Sequence, residues 1–195
     1  MTKFGVSPSQ TVGPFFHYGL TPEARGYSVP VSIDAVVAAP GTPGTPLVLT
    51  GVVTDADGAP VPDAMIELWQ ADHNGIYAHP RDGRANASNS FRGFGRSPTA
   101  LDGTYRFETI RPGAVSGPGG SQAPHVALVI FARGMLTHLF TRAYFEGEAA
   151  NTSDPVLALV PETRRDTLIA RAVGNGIYRF DIRLQGDKET VFFAV

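Results

Sequence analysis

The clearest pattern of apolar and polar positions lies in the middle of the chain. Leu47 to Thr54 is rich in β-formers, and Asp55-Ala56-Asp57-Gly58 follows it as a turn signal. The chain returns from Val61 to Gln70, with Ala64, Ile66, Leu68 and Gln70 on one face and Met65, Glu67 and Trp69 on the other. That alternation predicts a second strand, with Trp69 in the core. Thr104 to Ile110 alternates as a third, ended by Arg111-Pro112-Gly113. The run from Gln122 to Phe131 reads as a buried strand over 124 to 132, closed by Gly134. Leu136 to Phe145 follows, with His138, Phe140 and Arg142 on one face. Pro161 to Val173 predicts the one helix, from its proline start and a stripe of Leu168, Ile169 and Ala172. Ile177 to Leu184 and Glu189 to Ala194 read as closing strands around a turn at Gly186-Asp187-Lys188.

Irregular stretches separate these elements. Residues 1 to 20 form an arm in which two prolines and Gly13 argue against a regular helix. Its aromatics Phe15, Phe16 and Tyr18 need cover, from this chain's core or from a pocket or partner. Residues 21 to 45 read as a linker whose run Val29 to Val37 is a weak strand candidate. Asp72 to Gly103 is mostly loop, and a loop of that length points to function or to packing against something. Ala114 to Ala123 is a second Gly/Pro/Ser loop. With about eight strands and one short helix, the pattern predicts an all-β fold, a sandwich of two antiparallel sheets with long loops. A single domain spans 1–195, with 1–45 as arm and linker and 46–195 as sandwich core.

Composition narrows the function classes. The chain has 195 residues, 16 Lys plus Arg against 18 Asp plus Glu, and a formal net charge of -2, a balance that calls for neither nucleic acid nor a membrane surface. Gly 22 and Pro 16 fit a turn-rich β protein. Cys is 0, which removes disulfides, thiolate ligands and a cysteine nucleophile. No run has the length of a signal peptide or a bilayer span, so the expected compartment is the cytoplasm.

The residues alone offer little autonomous chemistry. No pair among His17, His73, His79, His125 and His138 has the spacing that puts two imidazoles on one strand or helix face. His125 reads first as a hydrogen-bonded histidine at a strand end. No nucleophile elbow, phosphate loop or convincing acid/base pair is present, so neither a catalytic nor a metal residue is assigned. Arg133 ends a strand amid apolar neighbours and must be paired. Either an internal acid takes it, or its planar fork is held out for a carboxylate ligand.

Several blocks resemble the intradiol ring-cleaving dioxygenases: Ser9-Gln10-Thr11-Val12-Gly13-Pro14, Glu67 to Gly75, Ala123-Pro124-His125, Phe131-Ala132-Arg133-Gly134 and Tyr178 to Gly186. The resemblance implies a β-sandwich in an assembly of α and β chains. It implies that the β-type chain holds Fe(III) through two Tyr and two His, the His as His-x-His on a strand. Here the first matches His125, but the second falls on Ala127. The Tyr positions fall near Val115 and in Arg81 to Arg84, where none stands. The resemblance is therefore to the non-iron chain, with the cofactor iron in its β partner. It implies that Thr11, Gly13, Phe15 and Arg133 line a pocket for 3,4-dihydroxybenzoate, relatives also carrying Tyr at position 15. It reverses the balance on Arg133 toward ligand binding. Two other readings remain: a self-sufficient dioxygenase with relocated ligands, and a non-catalytic transthyretin-like binding module, which the hairpin from Gly51 to Trp69 alone would fit.

Overall fold

The computed structural model describes residues 5–13, 15–30, 32–84 and 90–194. Pro14 of the arm, Val31 of the weak strand candidate and positions 85–89 of the long loop lie outside them. The arm carries a short helix, α1 (Phe16–Leu20), despite its prolines. The helix starts beyond Pro14, so no proline interrupts it.

Strands β1 (Pro46–Thr54), β2 (Met65–Trp69), β3 (Phe94–Pro98) and β4 (Thr104–Ile110) come first. The small hairpin β5 (Val115–Gly117) and β6 (Gly120–Gln122) precedes β7 (His125–Phe131) and β8 (Leu139–Phe145). A short helix α2 (Glu162–Arg165) leads to β9 (Ile169–Gly174), β10 (Ile177–Arg179) and β11 (Ile182–Arg183). The all-β sandwich expected from the alternation is present. One half pairs β3-β2-β7-β8, the other pairs β4-β1-β10, and β9 joins them by bonding both β8 and β10. Between the halves lie Leu49 and Phe107 from one side and Ile66, Leu68, Leu128 and Ile130 from the other, all fully buried. Each such side chain contributes about 1.5–3 kcal/mol by leaving water.

Not every pairing is antiparallel: β10 and β11 both run parallel to β1, and β9 parallel to β8. The expected strand Ile177 to Leu184 is split because its chain crosses close over Gly51. A Cβ on Gly51 would stand 1.9 Å from the Phe180 carbonyl oxygen. That oxygen accepts the Tyr105 hydroxyl at 2.5 Å, while Phe180 N–H donates to Thr50 O at 2.8 Å.

Five further expectations change. The helix predicted to Val173 ends earlier: a 3-10 turn at Asp166–Leu168 follows α2, and Ile169 and Ala170 pair with Tyr144 and Phe145. Ladder bonds to β8, the burial of Ala170 in the main core and the packing of Ile169 on the second cluster outweigh a short apolar stripe there. β3 lies hidden in the presumed loop because Phe-Gly-Arg-Ser-Pro has poor strand propensity. Five residue pairs with β2 hold it, and Gly95 leaves room for Val37 in the core. Glu189 to Ala194 forms a single bridge, Phe193 to Phe140, rather than a strand. Trp69 faces outward and is half-buried, stacked on Tyr77 at 5.7 Å rather than placed in the core. Among its described residues the weak candidate Val29 to Val37 makes no strand either; Val36 forms an isolated bridge to Glu108. Among the described residues no helix is long and apolar enough to cross a membrane.

Candidate functional site

Two regions carry the residues singled out from the sequence. The first is where the arm meets the loop after β7. Thr11 Oγ1 accepts the Gly134 N–H at 2.7 Å, and Ser9 Oγ donates to the Leu136 carbonyl. The arm is thereby laid along the turn that carries Arg133. Gly134 has φ 89°, a left-handed conformation that glycine adopts without strain. Arg133 is less enclosed than its apolar neighbours suggested: its side chain is 56% exposed, because the strand ends before it. Its Nε donates to Asp63 Oδ2, so the internal ion pair weighed from the sequence exists.

Phe15 is 73% exposed and lies 5.7 Å from Tyr18, which is also exposed. Neither docks on this chain's core, while Phe16 is half-buried. A Cβ on Gly13 would meet nothing within 4 Å. Thr11, Gly13, Phe15 and Arg133 thus lie on one accessible arm and the turn it touches. Only Thr11 and Arg133 of the four bond to other parts of the chain through their side chains.

Sequence reading missed two supports of this region. His17 is buried on α1; its Nε2 donates to the Asp63 carbonyl at 3.2 Å, and its Nδ1 lies 3.0 Å from Thr21 Oγ1. Burial lowers the His17 pKa, and the nearby Arg25 and Arg133 charges push the same way against the Asp63 hydrogen bond and charge. Asp63 and Arg133 are 70 positions apart, so no local spacing pairs them.

The second region is the outward face of β2, β7 and β8. His125 is buried and donates Nδ1–H to the Ala123 carbonyl at 2.8 Å. Burial, and secondarily the Arg142 charge, lowers its pKa to about 4. The neutral ring leaves one nitrogen, Nε2, as a donor to a metal. Two residues on, the same face carries the Ala127 methyl. Val115 and the Arg81–Arg84 segment line a cleft of about 720 Å³ with Trp69 and Tyr77. Nearby, Arg142 donates to Gln122 Oε1 at 2.9 Å and lies 3.5 Å from the Tyr144 hydroxyl. At three positions that the resemblance aligns with iron ligands, this chain thus offers one imidazole nitrogen, a methyl and an isopropyl group, of which only the nitrogen can bind a ferric ion; Tyr77, His79 and Asp82 line the same cleft as Val115. Among the described residues no three of His, Cys, Asp and Glu are grouped to share a metal.

His125 gives a testable pH dependence. Its folded pKa lies below the ordinary 6.5, so its stabilising contribution is present above 6.5 and is lost as pH falls toward about 4. The amount is on the order of 3 kcal/mol. His17, also lowered, acts in the same direction. Urea unfolding of His125→Gln should show a shallower loss between about pH 6.5 and about pH 4.5 than the parent. Identical profiles would show that His125 burial is not a source of the slope.

A family model described as Dioxygenase matches residues 29–186, spanning both halves of the sandwich and the Arg133 turn. The protocatechuate 3,4-dioxygenase alpha chain of Burkholderia cepacia is 45% identical over 202 aligned residues, covering 100% of both chains. The chain belongs to the intradiol ring-cleavage dioxygenase family. Members of this family are iron-dependent in general. The protocatechuate 3,4-dioxygenase beta chain of the same organism is 36% identical, over 75% of this chain and 67% of its own length. Among solved structures, the dioxygenase domain of a dioxygenase carbohydrate-binding protein fusion from Streptomyces sp. SirexAA-E has a TM-score of 0.59 at 26% identity. The match covers 92% of this chain and 99% of that one. This intradiol dioxygenase-family chain thus keeps the family's sandwich and carries Ala127 two residues after His125.

Proposed function

We propose that this chain is the non-iron α subunit of a protocatechuate 3,4-dioxygenase. With a protocatechuate 3,4-dioxygenase beta chain that holds Fe(III), it opens the ring of 3,4-dihydroxybenzoate between the hydroxylated carbons. Both atoms of O2 enter the product, 3-carboxy-cis,cis-muconate. Full-length similarity to an alpha chain supports the subunit assignment. The poor donor set around His125 supports leaving iron to the partner. When bound there, iron supplies the oxidative chemistry; this chain binds, orients and excludes water. The chain is read as one domain, 1–45 as arm and linker and 46–195 as core. A cytoplasmic location belongs to the same proposal, as the compartment expected for an enzyme of a small diffusible aromatic acid.

The observation that carries the pocket assignment is the Arg133 turn, tied to the arm through Thr11 and to Asp63 through Nε. A guanidinium fork with a free edge suits a carboxylate. In this reading Thr11 fixes the turn, Gly13 lets the arm pass close to the substrate, and Phe15 walls the pocket against the partner. Phe15 offers a ring face without the hydroxyl of a Tyr, so it shapes the pocket without a hydrogen bond.

Arg133→Ala in the assembled enzyme should raise KM for protocatechuate about tenfold or more, with the catechol KM changed by less than about twofold. Steady-state kinetics on both substrates check this. Equal changes would mean that Arg133 only supports the fold.

A further inference from the structure

We propose that Asp63 is a positioning residue for Arg133, one that sets the preference for a carboxylate-bearing substrate. The inference rests on the reading of Arg133 just given. The Asp63 side chain is 19% exposed and that of Arg133 is 56% exposed, so the acid is anchored and the base reaches outward. The acid takes Nε, one of five N–H donors, and leaves the Nη1 and Nη2 edge open. That edge is the one that meets a carboxylate with two parallel hydrogen bonds.

The anchor itself is braced. The Asp63 carbonyl takes the His17 Nε2 proton at 3.2 Å. The next residue, Ala64, donates its N–H to Thr99 Oγ1 at 3.0 Å, and Thr99 Oγ1 donates to the Val61 carbonyl at 2.7 Å. On the other side, the Thr11 bond to Gly134 N–H fixes the backbone that follows Arg133. One guanidinium is therefore held from its backbone and from Nε, with a single edge left for a ligand. Held this way, it loses less freedom on binding than a free arginine would.

Local charge agrees with an anionic ligand. Arg25 and Arg133 are both close enough to His17 to disfavour its protonation, and Asp63 is the acid acting in the opposite sense. With Asp63 engaged at Nε, the open Nη1 and Nη2 edge presents the donors of a cation to an arriving carboxylate. Catechol has no carboxylate to meet that edge.

The test uses the assembled α/β enzyme with Asp63→Ala, D63N, R133A and the D63A/R133A pair. The readout is kcat and KM for protocatechuate and for catechol. D63A should raise KM for protocatechuate about three- to tenfold, with kcat near the parent value and catechol kinetics nearly unchanged. D63N keeps an acceptor for Nε and should recover part of the loss. In the R133A background, D63A should change nothing further. A general structural defect would affect both substrates and would persist in that background. D63A spares the His17 bond, which uses the Asp63 backbone; if D63A does not assemble, Asp63→Leu, which removes the acceptor and fills the space, replaces it under the same criteria. A D63A enzyme whose selectivity equals or exceeds the parent's, while R133A loses it, overturns the positioning role and leaves the Arg133 reading intact. An R133A enzyme with unchanged selectivity overturns that reading and the Asp63 role together.

Discussion

Asp154→Ala should destabilise this chain by about 3–5 kcal/mol, out of a total of about 5–15 kcal/mol for a domain of ordinary stability. Asp154 is 1% exposed. Its Oδ2 accepts the Ala123 N–H at 2.7 Å. Its Oδ1 accepts the Leu157 N–H at 2.7 Å, the Val156 N–H at 2.8 Å and the Tyr144 hydroxyl at 3.1 Å. Truncation leaves these four donors without their acceptor. Each buried donor left unsatisfied costs about 1–3 kcal/mol, less whatever water recovers.

The same carboxylate ties Ala123, just before β7, to the segment that carries Leu157 and Val160. These residues, with Tyr144 and Leu168, form the second core cluster. Asp154→Asn retains one acceptor oxygen and should fall between parent and Ala variant. Denaturant unfolding of the purified chain measures both; a loss below about 1 kcal/mol for Asp154→Ala would show that the cluster does not depend on it. Because Asp154 lies at the β7 start and Arg133 beyond its end, the assembled variant should keep its substrate preference.

The sheet strands that alternate were legible in the sequence: β2, β4, β7 and β8 lie within the stretches their periodicity marks, and β1 starts one residue before its own, at Pro46. What was hidden depended on partners distant in the chain. β3 has glycine, serine and proline where a strand favours branched residues, and β2 supplies its hydrogen bonds. β9 sits where a short apolar stripe fits a helix equally well until β8 pairs with it. Trp69 looks like core from its size, yet period two places it on the face opposite Leu68, toward the cleft.

The candidate site was legible in part. Sequence blocks marked Thr11 and Arg133, and the structure puts them on adjacent residues of contact, Thr11 against Gly134. Asp63 and His17 carry no motif, and their roles appear only when the arm, the turn before β2 and the turn after β7 are brought together. Alternation placed Arg142 on one face of the Leu136 to Phe145 strand with His138 and Phe140, and Tyr144 was not singled out. Their clustering near His125 required the β7–β8 register, in which His125 stands opposite Tyr144.

The most direct measurement is iron content and protocatechuate-dependent O2 uptake, made on this chain expressed alone and on the chain co-expressed with an iron-type β chain. In the proposed reading the iron centre belongs to the β chain, because Ala127 and Val115 stand at two of the ligand positions. The lone chain should purify without stoichiometric iron and without turnover, at least about a hundredfold below the assembled enzyme. The co-expressed sample should carry iron and consume O2 on adding protocatechuate. That result supports an α subunit whose share is the arm and the Arg133 turn. Stoichiometric ferric iron with turnover in the lone chain would contradict it, and would mean that this chain builds a complete centre from residues other than those around His125.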